Sequence, residues 1–393
     1  MIRILFVDDE LNVLQAMRRS LHSMRNEWTM DFVLGGAEAL TALKAAGADV
    51  IVSDMRMPGM DGWQLLTEVK KLYPQTVRLI LSGHAEATSI MRAVGIAHQY
   101  IAKPCDSAAI KDAVLQTQNL RHLVSTDQLA ALVGEVGTLP SAPKAFQEIL
   151  ACLQQPKASV ADAARIVGRD VAMTANIMKM VNSAFFGARQ PIMTTARAVA
   201  YLGMDTLGAL VLGHSVFKSG HPTGIAGFSL ERLWDHSLQT GIAARSIALQ
   251  EKFTPADAEK AFLAGVLHDV GKIVFATRKL APSELAEAGE HGAVEMDAHH
   301  AEVGAYLLGL WGFPNTIVEA VAFHHRPSTV SDQGLSLAGL VHIADYLVHQ
   351  KDSGSPDARA RSLEPEFLER RGLLEKLPEW QSALDTIELD RTA

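Results

Sequence analysis

Five short apolar runs, each followed by an amphipathic stretch, fill the first 120 residues and leave few folds open. The runs are ILFV, DFVL, DVIVS, RLILS and QYIA; the stretches after them are LNVLQAMRRSL, AEALTALKAAG, GWQLLTEVKKLY, AEATSIMRAVG and SAAIKDAVLQTQ. The runs lack polar alternation, as parallel strands covered on both faces do, and the stretches repeat apolar residues at three- and four-residue spacing, as helices do. The pattern predicts a doubly wound α/β domain with a five-stranded parallel sheet over residues 1–120. In such sheets ligands bind beyond the carboxyl ends of the strands, so the residues that close each run are expected to converge.

From about residue 108 the helical period takes over, with Leu115, Leu120, Leu123, Leu129 and Leu132 marking one or two helices placed to carry a signal, residues 121–137 forming a helical linker. GTLPSAPK is a loop, and residues 138–350 then give successive helices punctuated by Pro and Gly, with no convincing β pattern, hence an all-α second domain. Residues 351–361, KDSGSPDARAR, predict a flexible loop before a short helical extension that ends at 393. Two domains suit a chain of 393 residues. No apolar run is long enough to span a bilayer, and MIRILFVDDE puts carboxylates where a signal peptide stays apolar, so a cytoplasmic location is expected and no membrane partner. Cys105 and Cys152 stand too far apart for a disulfide framework or a CxxC site and suit packing. A formal charge of −8 weighs against a nucleic-acid surface. ADAARIVGRDVAMTANIMKMV has the outline of a helix-turn-helix, but beyond Arg169, Asn176 and Lys179 its second half offers Met and Ala that suit burial, so DNA is not expected.

The strand ends carry Asp8 and Asp9, Asp54, Ser82, and Lys103 followed by Pro104. Singly, Asp9 suits a helix cap, Asp54 and Ser82 suit loops and Tyr100 suits a core; jointly they form a phosphorylation site. Clustered carboxylates repel unless a hard cation sits among them, and oxygen-only ligation suits Mg²⁺. Asp54 would attack an incoming phosphoryl group, with Lys103 and the Ser82 hydroxyl on its oxygens. VDDE, SDMRMPGMDG, LSG and Tyr100 before Lys103-Pro104 resemble the receiver family, whose fold is flavodoxin-like, over residues 1 to about 120. The resemblance implies an acidic pair at Asp8 and Asp9, a phosphoacceptor at Asp54, and the backbone carbonyl of Arg56 completing the Mg²⁺ shell. It also implies a switch in which Ser82 and Tyr100 shift together, and a sensor histidine kinase as phosphodonor.

In the helical half, His236, His268-Asp269, His300, His324-His325 and Asp345 each lie in an apolar helical stretch, and such a donor set suits Fe, Mn, Zn, Co or Ni. There are enough ligands for two ions bridged by Asp269, and Lys272, one turn on, is placed to contact a substrate phosphate. These segments resemble the HD superfamily, and LPSAPKAFQEIL, RDVAMTANIMKMVNSAFFG and ARAVAYLGMDTLGALVL resemble its HDOD branch, over residues about 134–345. HDOD domains are signalling outputs, many of which have lost metal ligands. This chain keeps nearly the ligand set of HD-GYP cyclic-di-GMP phosphodiesterases, but Arg-Pro-Ser-Thr follows His325 in place of Gly-Tyr-Pro, and Arg232 stands where some of those enzymes have a Glu. The resemblances imply a response regulator relaying phosphorylation of Asp54 to an HDOD output that binds a protein partner or a cyclic dinucleotide, with a bound or vestigial metal site. The alternative is a phosphorylation-gated, metal-dependent phosphohydrolase, and a homodimer stays open.

Overall fold

The structure, a computed structural model, describes residues 1–83, 95–103, 107–141, 143–155, 158–182, 191–212, 218–219, 228–277, 288–330, 334–351, 363–369 and 372–392. The first domain is built on strands β1 (Ile2–Asp8), β2 (Trp28–Leu34), β3 (Val50–Asp54), β4 (Val77–Gly83) and β5 (Gln99–Lys103), all parallel in the order β2-β1-β3-β4-β5. The central runs are buried on both faces, Ile4, Phe6, Ile51, Leu79 and Ile80 being fully enclosed, which is why they show no polar alternation. Helices α1 (Leu11–Ser20), α2 (Gly36–Ala46), α3 (Gly62–Leu72) and α4 (Ser107–Leu120) cover the sheet. The start of α3 is fixed by a capping box, in which Asp61 accepts from the Gln64 backbone and Gln64 from that of Asp61. The helix expected over AEATSIMRAVG lies outside the described residues, except for Gly95.

A short turn, Arg121–Leu123, leads into α5 (Asp127–Glu135), capped by Thr126. These connecting residues are not an exposed spacer: Leu129, Ala130 and Val133 are buried, and one continuous apolar core runs from the sheet through α4 and α5 into the helical half. That half contains α6 (Pro143–Gln154), α7 (Val160–Val167), α8 (Val171–Val181), α9 (Thr195–Leu212), α10 (Leu230–Gln250), α11 (Pro255–Leu267), α12 (Val270–Ala276), α13 (Ala288–Leu310), α14 (Asn315–Phe323) and α15 (Leu337–Lys351). Ser159, Asp170, Ser229 and Thr254 each cap a helix with a side-chain oxygen, the last before Pro255 at the first helical position.

Three features depart from the sequence-based expectations or refine them. A two-stranded parallel pair, β6 (Pro140–Ser141) with β7 (Lys218–Ser219), sits within the helical half; strands of two residues are too short to leave a periodic signal. The second helix of the helix-turn-helix outline, α8, is buried along all 11 residues and so has no face to put in a groove. The C-terminal helices α16 (Pro365–Glu369) and α17 (Leu377–Thr392) are packed rather than appended: Phe367, Trp380 and Leu384 join Ile247, Ile343 and Leu347 in a second core. Of the flexible loop expected at 351–361, all but Lys351 lies outside the described residues, as does Cys105. Cys152 is buried and free. No helix among the described residues is long and apolar enough to cross a membrane.

Candidate functional site

Two clusters of charge occupy the two halves. In the first, parallel pairing of β1, β3 and β5 through β4 carries Asp8, Asp54 and Lys103 to the same edge of the sheet. The Lys103 ammonium donates to Asp8 Oδ2 at 3.0 Å and also pairs with Asp54 Oδ1. Asp54 Oδ2 accepts from the Arg56 backbone N–H at 3.0 Å, and Asp8 Oδ1 from that of Glu10 at 2.9 Å. Burial pushes the Asp54 carboxyl above its ordinary pKa, with Lys103 opposing that rise. For Lys103 burial works against the charge, but Asp54 and Asp8 together outweigh it and raise the ammonium. Each charge is therefore held by the others.

Asp9 follows at the end of β1 and is exposed, Ser82 lies in β4 paired with Ala102, and its side chain is outside the described residues. Tyr100 lies within β5, nearly buried, and its hydroxyl has no hydrogen-bond partner among the described residues. Burial raises that phenol well above its ordinary value.

The second cluster gathers side chains from six helices. His236 projects from α10, His268 closes α11, Asp269 opens α12, His300 lies in α13, His324 and His325 follow α14, and Asp345 lies in α15. All seven residues expected from the sequence come together. His236 Nε2 stands 2.9 Å from Asp345 Oδ1 and 3.3 Å from His268 Nε2, while His268 Nε2 stands 3.4 Å from Asp269 Oδ2. On the other side His300 Nε2 lies 3.2 Å from Asp269 Oδ1 and 2.9 Å from His325 Nε2. Three groups have ligand atoms close enough to share an ion: His236, His268 and Asp345; His268, Asp269 and His324; His300, His324 and His325. The arrangement is two lobes meeting at Asp269.

The tautomers favour ligation. His268 Nδ1 lies 2.6 Å from the Gly265 carbonyl, His300 Nδ1 3.1 Å from that of Met296, and His324 Nδ1 2.7 Å from that of Val321. An imidazole that gives its Nδ1 proton to a carbonyl presents a bare Nε2 lone pair on its far side. For His324 that Nε2 is buried with no hydrogen-bond partner among the described residues, a position that a divalent ion would satisfy. Burial holds His324 well below its ordinary pKa, and His236 at about 4, so both stand as neutral ligands. In His268 burial is outweighed by Asp269 and Asp345, which raise it to about 9, so its Nε2 holds a proton toward those carboxylates that a metal ion would have to displace. Lys272, expected to reach a substrate phosphate, donates instead to Asp269 Oδ2 at 2.6 Å and is itself buried. Arg232, where a further ligand could have stood, is exposed.

Residues 4–115 match the model of the response regulator receiver domain, and residues 139–327 that of the HDOD domain. The chain carries a receiver domain followed by an HDOD domain. An uncharacterized protein of Treponema pallidum is 25% identical over 251 residues, 61% of this chain and 48% of its own. The hydrogenase transcriptional regulatory protein HoxA of Cupriavidus necator is 36% identical over 122 residues, 30% of this chain and 25% of its own. The chain thus spans about half, or a quarter, of the length of these relatives. The crystal structure of the MmoQ response regulator from Methylococcus capsulatus is 26% identical and covers 59% of this chain and 97% of its own, with a TM-score of 0.46.

The two domains touch at the receiver's β5 and α4. Gln116 Nε2 donates to the Phe313 carbonyl at 3.2 Å, and a Cβ on Gly309 would stand 2.3 Å from Leu120 Cδ2. Gln99, Tyr100 and Ala113 of the receiver and Lys179, Trp311 and Gly312 of the HDOD domain line a cavity of about 220 Å³. Lys179 lies 4.4 Å above the Trp311 ring and donates to the Gly137 carbonyl. Arg78, fully buried at the start of β4, spreads its guanidinium over the carbonyls of Ile96, Thr76 and Pro74 and, across the interface, Gly134. Arg78 did not stand out in the sequence, and Lys179 did so only within the helix-turn-helix outline, because the carbonyls they satisfy come together only in the folded chain.

Proposed function

We propose that this chain is a response regulator in which Asp54 takes a phosphoryl group from a sensor kinase, in the presence of Mg²⁺ held by Asp8, Asp9, Asp54 and the Arg56 carbonyl, and the receiver passes that event to the histidine cluster of the HDOD domain. One observation carries the reading: the receiver packs on the 311–314 turn that joins α13 to α14, the helices that bring His300, His324 and His325 to the cluster. Tyr100 lines the cavity against that turn, so a shift at the phosphoacceptor edge has a short path to the second lobe. Ser82 and Lys103 would bind the phosphoryl oxygens, as two donors flanking an acceptor carboxylate can. The cell location that suits this role is the cytoplasm.

The histidine cluster suits a divalent transition metal, held in one lobe by His236, His268 and Asp345 and in the other by His300, His324 and His325, with Asp269 between them. Such an ion would polarise a phosphoryl oxygen or a bound water. That ligand set favours a second reading, a metal-dependent phosphohydrolase acting on a phosphodiester such as a cyclic dinucleotide, with Lys272 turning from Asp269 to a substrate phosphate. The binding output remains the leading reading because Lys272 is buried and spent on Asp269.

The test is acetyl phosphate with Mg²⁺, followed by intact-mass detection of the adduct and hydrogen exchange. Wild type is expected to be modified and Asp54→Asn not, and modification should change exchange in segments 309–314 and 321–325. Modification with unchanged exchange there would refute the proposed path; absence of modification would refute the phosphoacceptor.

A further inference from the structure

His349 lies outside the seven residues of the cluster, yet it shares their construction. It sits on α15 one turn after Asp345, and its Nδ1 is 2.9 Å from the Asp345 backbone carbonyl, the same bond that sets the tautomer of His268, His300 and His324. The same Nδ1 is also 3.0 Å from Asp345 Oδ1. That oxygen is the one facing His236 at 2.9 Å and His268 at 3.5 Å. The His349 ring meets the His236 ring edge-on, with centroids 4.2 Å apart, and the residue is only 9% exposed.

A carboxylate turns freely about its last bond, and an imidazole has few contacts to fix its plane, so a ligand pair is only as well oriented as its neighbours make it. His349 supplies both constraints, a proton to the ligating oxygen of Asp345 and a wall for the His236 ring. We propose that His349 is a positioning residue for the first lobe, acting through Asp345 and His236 and not as a ligand itself. Its own ligand atoms fall in none of the groups that could share an ion. The inference rests on the reading that this lobe holds a divalent ion.

The experiment is a titration of the metal-free full-length protein with Co²⁺, followed by visible absorption, in a His324→Ala background, which breaks both other ion-sharing groups and leaves the first lobe as the site measured. His349→Ala should weaken Co²⁺ binding by roughly 10- to 100-fold and alter the band shape. His349→Asn, whose amide nitrogen falls near the position of Nδ1 and keeps a donor, should recover most of the affinity. Urea unfolding of each variant tracks the fold. Equal affinity and band shape for His349→Ala and its parent would overturn the proposal alone, and so would losses that follow the urea midpoint and are not rescued by Asn. A parent that takes up no Co²⁺, with an equally silent wild type, would remove the metal reading and this inference with it.

Discussion

Gly271 is where α12 and α13 touch most closely, and replacing it by alanine tests whether the second lobe depends on that approach. A Cβ at this position would stand 2.0 Å from the His300 carbonyl oxygen and 2.8 Å from the Gly304 nitrogen, both backbone atoms that cannot swing aside. Real Cβ atoms are essentially never closer than 3.0 Å, so the helices must part by about 1 Å, from 2.0 to 3.0 Å. Overpacking of this kind costs about 1–3 kcal/mol. Metal–ligand distances hold to within about 0.2 Å, so a shift of that size separates His300 from Asp269 far beyond what a shared ion tolerates. Gly304→Ala is the comparison: its Cβ would meet the Gly271 nitrogen at 3.0 Å and Val270 Cγ1 at 3.1 Å, a contact that small adjustments relieve. Urea unfolding and metal uptake of the two variants should rank Gly271→Ala well below Gly304→Ala, with the deficit in the lobe of His300, His324 and His325. If Gly271→Ala keeps the wild-type midpoint and metal content, or the two variants behave alike, the claim that backbone contact sets this lobe is wrong.

Two further outcomes follow from the buried polar groups between the domains. Arg78→Met should lower stability by about 3–5 kcal/mol, because it strands buried carbonyls, including that of Gly134 across the interface; a change below about 1 kcal/mol in urea unfolding would count against the role. Tyr100 gives a pH signature. Its phenol is raised by burial above the ordinary value of 10.0, so its contribution to stability is whole below pH 10 and is lost as pH rises toward the folded pKa, the unfolded chain having released its proton first. Tyr100→Phe should therefore lose less stability than wild type between about pH 10 and 11, and parallel curves would contradict the burial of the hydroxyl.

Much of the receiver site was legible in the sequence because a parallel sheet converts position in the chain into position in space: a polar residue that closes an unalternated strand must lie at the ligand edge. Asp8, Asp54 and Lys103 meet there for that reason. The HDOD cluster was legible as a set of residue types in a family register, but its division into two lobes was not, since that depends on how six helices cross. His349 was one helical turn from Asp345 and could have been flagged by that spacing alone. Lys272 lies one turn from Asp269 as the helical spacing predicts, but its capture by that buried carboxylate leaves no mark in the pattern of residues. The packing of Phe367 and Trp380 was hidden by the polar stretch before them, which makes the last helices look detached. Trp311 and Phe313 are enclosed, as packing residues should be, and the turn they build is also where the receiver rests.

The unbroken apolar core across α4 and α5 limits how freely the two halves can be exchanged. A foreign receiver grafted at residue 120 would have to bring a side chain of the size and shape of Leu120 to the notch at Gly309, and a backbone that accepts Gly134 and Gly137 at close range. Shuffling by lineage or by design at this seam is therefore constrained by fit as much as by chemistry, and a swapped chain would inherit its neighbour's surface before it inherited its signal.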